Sequence, residues 1–313
     1  MSRQLTDSVL MIRPVHFTLN PETAVNNYYQ QVIDGLGPAD AQTRALAEFD
    51  EFAARLRQHG LNVLVVEDTP DPETPDSIFP NNWLSFHHDG TMALYPMFAE
   101  NRRLERREDM QAIVTRQGFV VERIKDFTFY EKEGKFLEGT GSMILDRDNH
   151  VVYAAISPRT NPEVLLSFCE AFSYRAVTFQ ANQTVGDERL PIYHTNVMMC
   201  LTDKLAVVCL DSIDDAGERQ ALQGSLRATG KEIIEITEAQ VGHFAGNMLA
   251  LTNNRGVPHM IMSAAALHSL SAGQKKAIEA HYTIIASSLD TIEALGGGSA
   301  RCMLAEIFLP KNK

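Results

Sequence analysis

Asn247-Met-Leu-Ala-Leu251 is a polar residue opening a short apolar run. A turn signal, Asn253-Asn254-Arg255-Gly256, and a second strand-like run over 257–262 follow it. A small or polar residue opens a short apolar run again at Asn82-Trp-Leu-Ser-Phe86, Gly141-Ser-Met-Ile-Leu145, Asn196-Val-Met-Met-Cys200 and Cys302-Met-Leu-Ala-Glu306, and four of the five are followed by a turn signal and another strand-like run. The opening residues lie at 82, 141, 196, 247 and 302, separated by 59, 55, 51 and 55 residues. Recurrence at a nearly fixed period marks a repeat architecture. A second β-rich series runs in phase at 61–66, 119–124, 175–179, 232–236 and 282–286, each preceded by a helix-like stretch. Those stretches are 39–59, 100–117, 162–172, 218–229 and 274–281. The clearest is 39–59, where Leu46, Phe49, Phe52, Ala53 and Leu56 form one apolar stripe and Gly60 supplies the stop.

Each unit therefore reads strand, strand, helix, strand over about 55 residues. Five units are too few for an open solenoid with capping repeats, and neither chain end looks like a polar cap. The expected fold is α/β: a closed ring of five ββαβ blades in one domain over 1–313, with strand 8–13 completing the last unit near Cys302. A plain two-domain α/β protein is the alternative.

Composition narrows the function. The 28 basic and 40 acidic side chains among 313 residues leave a net charge of −12, which argues against a nucleic-acid partner, because phosphate neutralisation needs clustered Lys and Arg. No apolar window of membrane-spanning length occurs. The stretch 1–13 lacks a basic-apolar-small signal pattern. The four cysteines, Cys169, Cys200, Cys209 and Cys302, are too sparse for a disulfide scaffold. The expectation is a cytoplasmic protein acting on a small molecule, with no membrane partner and with self-association left open.

In a ring, equivalent positions of every unit face the same central space. The strand heads carry Asn81-Asn82, Glu138-Gly-Thr-Gly141, His194-Thr-Asn196, Gly246-Asn247 and Arg301-Cys302. A Cys, a His and a carboxylate converging there would make a nucleophile, a base and an orienting group.

These residues also carry a family resemblance. Gly296-Gly-Gly-Ser-Ala-Arg-Cys-Met303 resembles the C-terminal signature of the pentein, or guanidino-group-modifying, superfamily, which is amidinotransferase-like. Pro75-Asp-Ser-Ile-Phe-Pro-Asn-Asn-Trp83, Leu137-Glu-Gly-Thr-Gly141, Ser157-Pro-Arg-Thr160 and Tyr193-His194 match in the superfamily's order. The opening Met11-Ile-Arg-Pro14 with Asn20-Pro-Glu-Thr-Ala-Val-Asn-Asn27 looks like the citrulline-utilisation hydrolase branch. The resemblance implies a five-bladed ββαβ propeller, agreeing with the repeat count. It implies Cys302 as nucleophile, His194 as general acid and base, and Glu138 as the carboxylate that orients the histidine and holds substrate nitrogens. It implies Arg159 as the grip on an α-carboxylate, and no metal or organic cofactor.

The remaining candidates come with alternatives. Arg301 either lowers the charge cost of a Cys302 thiolate or meets a substrate carboxylate. Phe79 is a pocket wall beside Asn81 or a core residue. His87-His88 is a tempting metal pair, but adjacent strand residues face opposite ways, so it reads as hairpin surface. Arg102, Arg103, Arg106 and Arg107, interleaved with Glu105, Glu108 and Asp109, read as a solvated helix face. No glycine-rich cofactor fingerprint follows a strand.

Many superfamily relatives place Asp where this chain has Asn82 and Asn196. Asparagine can bond a neutral ureido group through both donor and acceptor. The expected reaction is therefore hydrolysis at the ureido or guanidino carbon of an arginine-like amino acid, with citrulline giving ornithine, ammonia and carbon dioxide through a covalent Cys302 adduct. The rivals are an arginine deiminase or dihydrolase, an amidinotransferase, and a non-catalytic propeller like a ribosome anti-association factor.

Overall fold

The computed structural model describes residues 4–312. Residues 1–3 and 313, which fall within the expected domain and, at the N-terminus, within the stretch read for a targeting signal, lie outside the described residues.

Five three-stranded sheets share one connection. In each, the first strand pairs antiparallel with the second, a helical segment follows, and the third strand returns parallel to the second. The first blade is Leu84–Phe86, Thr91–Leu94 and Arg123–Asp126. The second is Ile144–Asp146, Val151–Ala155 and Arg175–Phe179, and the third is Met199–Leu201, Leu205–Val208 and Glu232–Glu235. The fourth is Leu249–Thr252, Pro258–Ser263 and Thr283–Ser287. The fifth joins the chain ends: Ala305–Glu306 pairs antiparallel with Ser8–Arg13, which runs parallel to Asn62–Glu67. Val9 faces Glu306 and Leu10 faces Ala305, so the N-terminal strand completes the last unit as the repeat predicts.

Packing closes the ring. First strands of neighbouring blades touch: the second against the third, the third against the fourth, and the fifth against the first. Middle strands such as Val151–Ala155 and Leu205–Val208 are buried at every residue. That is why their sequences are continuously apolar rather than alternating. The ring reading, rather than two separate α/β halves, describes this architecture.

The helices follow their sequence signals closely where those are strong. Pro38–Gln58 buries Ala41, Ala45, Phe49, Phe52, Ala53 and Leu56, and ends before Gly60 at φ +83°. Leu46, expected in the stripe, is only half-buried, and the small Ala41 and Ala45 take the inward positions. Pro162–Phe172 covers the expected stretch, and the Asn161 side chain caps its start. The stretch 100–117 differs: it forms Glu100–Arg103 and Met110–Arg116, interrupted where Arg102 and Glu105 turn into the interior. Inward ion pairing outweighs helical continuity there. A further hairpin, Asn182–Val185 with Glu188–Pro191, lies outside the five blades and turns at Gly186. All four cysteines are free, and no helix among the described residues is long and apolar enough to cross a membrane.

Candidate active site

The strand heads meet at the centre because each is a single tight turn ahead of a first strand. These are Pro80–Asn82, Gly139–Ser142, Thr195–Met198 and the turn at 299–303. Glycine makes the convergence possible. A Cβ on Gly141 would sit 2.5 Å from Asn82 Nδ2 and 2.8 Å from His194 Nδ1, so the second head approaches two others only without a side chain. Gly246 plays the same part in the fourth head, where a Cβ would lie 2.3 Å from Val197 O.

Cys302 and His194 line one small cavity with Asn27, Asp76, Phe79, Asn82, Arg102, Arg159, Tyr193, Gly296 and Gly298. Glu138 is wholly buried behind it. Its Oε2 lies 2.7 Å from His194 Nε2, and its Oε1 accepts the Phe98 N–H at 2.9 Å. The carboxylate thus holds the Nε2–H tautomer and leaves Nδ1 as the ring's acceptor, on the side that Gly141 keeps open. Burial drives the His194 pKa down to about 4 despite Glu138, so the ring is neutral at pH 7. Burial alone would raise the Glu138 carboxyl, but Arg159, His194 and Arg102 together hold it well below the usual carboxylate range.

The Cys302 sulfur accepts from two side-chain amides, Asn247 Nδ2 at 3.2 Å and Asn196 Nδ2 at 3.4 Å. Phe79 lines the cavity and is also packed into the core. Asn82 faces the cavity, with Oδ1 accepting from Arg102 Nη1 at 2.8 Å. Asn81 stands behind it, bonded to Thr140 and to Asn82 instead of lining the cavity. Arg159 lines the cavity, yet its fork is engaged: Nε bonds Asn26 Oδ1 and Nη2 bonds Thr23 O, both at 2.9 Å, while Nη1 sits 3.5 Å from Glu138. It thereby fastens the segment around the Pro21–Ala24 turn over the site.

Three sequence readings need correction. Arg301 does not face this cavity: its side chain bonds Leu304 O and Glu306 and lines a separate cavity near Cys200 and Arg147. Neighbouring turn residues point to opposite sides, so adjacency to Cys302 did not bring the guanidinium to the sulfur. Arg102 is no solvated helix residue, being 2% exposed, with Nε on Glu105 at 2.7 Å and 3.9 Å from Asp76. Burial pushes Glu105 up to about 7 and raises Asp76, whose Oδ1 has no partner. His87 likewise leaves the surface, buried and stacked on Phe172 at 4.0 Å, while His88 is exposed as expected.

Sequence reasoning missed Asn247, Asp76, Arg102 and Tyr193 as members of the site. Asn247 had a signal, since it occupies the same repeat position as Asn82 and Asn196; Arg102 had none, because its charge pattern matches a surface helix. No group of three or more His, Cys, Asp or Glu among the described residues could hold a metal ion.

Five ββαβ blades around such a centre define the pentein fold, and solved structures share it. ArgZ, an arginine dihydrolase from the ornithine-ammonia cycle in cyanobacteria, superposes with TM-score 0.72 at 18% identity, covering 97% of this chain and 41% of that one. The N-terminal domain of ArgZ bound to product gives 0.69 at 18% identity, with 97% and 99% coverage. DDAH from Pseudomonas aeruginosa complexed with citrulline gives 0.64 at 15%, with 96% and 99% coverage. This chain spans about two fifths of full-length ArgZ. A family profile described as N,N dimethylarginine dimethylhydrolase, eukaryotic, matches residues 13–309, and the chain belongs to that family. No curated protein sequence matches the chain significantly.

Proposed function

We propose that the protein hydrolyses a neutral ureido amino acid, citrulline, as a member of the citrulline-utilisation branch of its superfamily. The observation that carries this reading is the bond from Arg102 to Asn82 Oδ1 at the cavity wall. Where a guanidinium would want a carboxylate, this cavity presents an amide backed by a buried cation. Arg102 is itself held by Glu105 through two bonds of 2.7 and 2.9 Å, so the wall at position 82 is an amide with its cation already compensated. Asp76 and Glu138 are likewise offset, 3.9 Å from Arg102 and 3.5 Å from Arg159. A ureido group carries no charge and needs no carboxylate at position 82. The unpartnered Asp76 Oδ1 is an acceptor left for a substrate N–H.

In the mechanism, Cys302 Sγ attacks the ureido carbon. Its thiol proton passes through His194 Nδ1 to the departing nitrogen, which leaves as ammonia, and a thiocarbamate remains on sulfur. Glu138 steadies the imidazolium during transfer. Water then adds, giving a proton to His194; the sulfur leaves, and the resulting carbamate loses carbon dioxide to yield ornithine. Asn82 and Phe79 face the substrate from the cavity wall, and Arg159 fastens the Pro21–Ala24 segment over it.

A second reading, hydrolysis of a methylated arginine, is favoured by the family match over 13–309. Screening product release from citrulline, arginine, methylated arginines and succinylarginine without an added amine decides between them. Citrulline turnover with ammonia and carbon dioxide supports the proposal. Activity confined to cationic guanidines overturns it, and a requirement for an amine acceptor indicates amidino transfer instead.

A further inference from the structure

Cys302 is buried, and the groups that hydrogen-bond its sulfur are amides, not cations. Asn247 is itself fully buried and fixed from three directions. Its Oδ1 accepts the backbone N–H of Arg301 at 3.0 Å, and its Nδ2 donates to Asn196 O at 2.9 Å as well as to Cys302 Sγ at 3.2 Å. Because the Arg301 N–H can only donate, it determines which end of the amide is oxygen. The other end, facing sulfur, is therefore a donor, and the sulfur must be the acceptor. Asn196 Nδ2 adds a second donor at 3.4 Å. Asn247 and Asn196 head the fourth and third blades at equivalent repeat positions, so the ring's pseudo-symmetry itself builds the pair.

We propose that Asn247 is a catalytic residue, a thiolate cradle that works with Asn196 to stabilise, by hydrogen bonding in place of a neighbouring cation, the negative charge that develops on the Cys302 sulfur as its proton departs. The role of Arg301 is thereby accounted for: its backbone N–H orients the cradle while its guanidinium faces the other cavity. A thiolate accepts amide hydrogen bonds more strongly than a thiol does, so removing the donor favours the protonated sulfur. In titration the released proton goes to solvent, and no co-reactant is involved. The inference rests on Cys302 being the nucleophile of the proposed reaction, but its test uses no substrate.

The experiment follows thiolate formation against pH, by ultraviolet absorbance and by the rate of iodoacetamide alkylation, with Cys302→Ser as the blank. The blank is clean because burial pushes Cys169 up to about 11 and Cys200 up to about 12, and raises Cys209 too. Asn247→Ala is expected to move the midpoint up by about 1 pH unit, the equivalent of one charge-assisted hydrogen bond. Asn247→Asp keeps the shape and the acceptor for Arg301 N–H while replacing the donor with a charge, and its midpoint should move further. It also covers the case in which the alanine variant fails to fold. Folded variants whose midpoints match the parent overturn the proposal. If the midpoints move but no ureido or guanidino substrate is turned over, the cradle stands and the proposed function falls.

Discussion

Arg102 donates from Nη1 to Oδ1 of Asn82 across 2.8 Å, with both side chains out of solvent. This contact sets a positive charge beside Asn82 in the cavity wall, so the charge at position 82 sets which substrate head is tolerated. Asn82→Asp would pair directly with Arg102 and give the cavity a carboxylate. The ratio of kcat/KM for arginine over citrulline should rise at least about tenfold, a change of about 1.4 kcal/mol. Competition kinetics with the two substrates measures it, and an unchanged ratio removes Asn82 from the basis of the ureido reading.

His194 makes a prediction about stability. Its folded pKa of about 4 lies below the unfolded value of 6.5, chiefly through burial. Between those values the unfolded chain binds a proton that the native ring does not, so stability is lost as pH falls through that window. The loss amounts to about 3 kcal/mol at the low end. Denaturant titrations of the parent and of His194→Gln, compared near pH 7 and near pH 4, isolate the effect. The parent should lose about 3 kcal/mol more than the variant; parallel behaviour would mean that the ring is protonated in the native state. Glu105, raised to about 7, acts with the opposite sign in both proteins and cancels in the comparison.

The ring, its five units and the closing strand were legible because repeat position is a property of sequence spacing. The same spacing brought Cys302, His194 and Asn82 to one cavity, although 220 positions separate the first and last of them. Side-chain direction within a turn was not legible. Arg301 adjoins Cys302 and faces away, whereas Arg102, in a run of alternating charges, turns inward to Glu105 and Asn82. A charge pattern reports the average face of a helix, and the segment that breaks the helix is where that average fails.

Replacing Cys302 with Ala removes the only thiol lining the cavity among the described residues. Turnover should fall by on the order of 10⁴-fold or more, with far-ultraviolet dichroism and melting behaviour close to the parent's. Retained turnover in a folded variant refutes covalent catalysis.

The outward course of Arg301 separates structure from binding. Its guanidinium holds Leu304 O at 2.8 Å and Glu306 at 2.9 Å, both near the closing strand Ala305–Glu306. Arg301→Met leaves Glu306 unpaired in a largely buried place, so stability should drop by roughly 3 kcal/mol. KM should stay within about twofold of the parent, since no contact in the cavity changes. A large rise in KM with stability intact would return Arg301 to the substrate.

Gly141 carries the most demanding prediction, because the smallest possible side chain there would meet Asn82 Nδ2 at 2.5 Å and His194 Nδ1 at 2.8 Å. Neither neighbour can retreat freely: Asn82 is held by Arg102 and Asn81, and His194 by Glu138. Gly141→Ala must therefore push the first and third heads apart or displace the imidazole, at a cost of about 1–3 kcal/mol in stability. Displacement of about 1 Å at the reacting groups costs on the order of 10²-fold in rate. The informative measurement is kcat beside unfolding free energy for the same variant. A loss of kcat by about 10²-fold with the ring still folded shows that the methyl group acts on the geometry of Nδ1. Full activity would mean that His194 works from a position other than the one Gly141 leaves open.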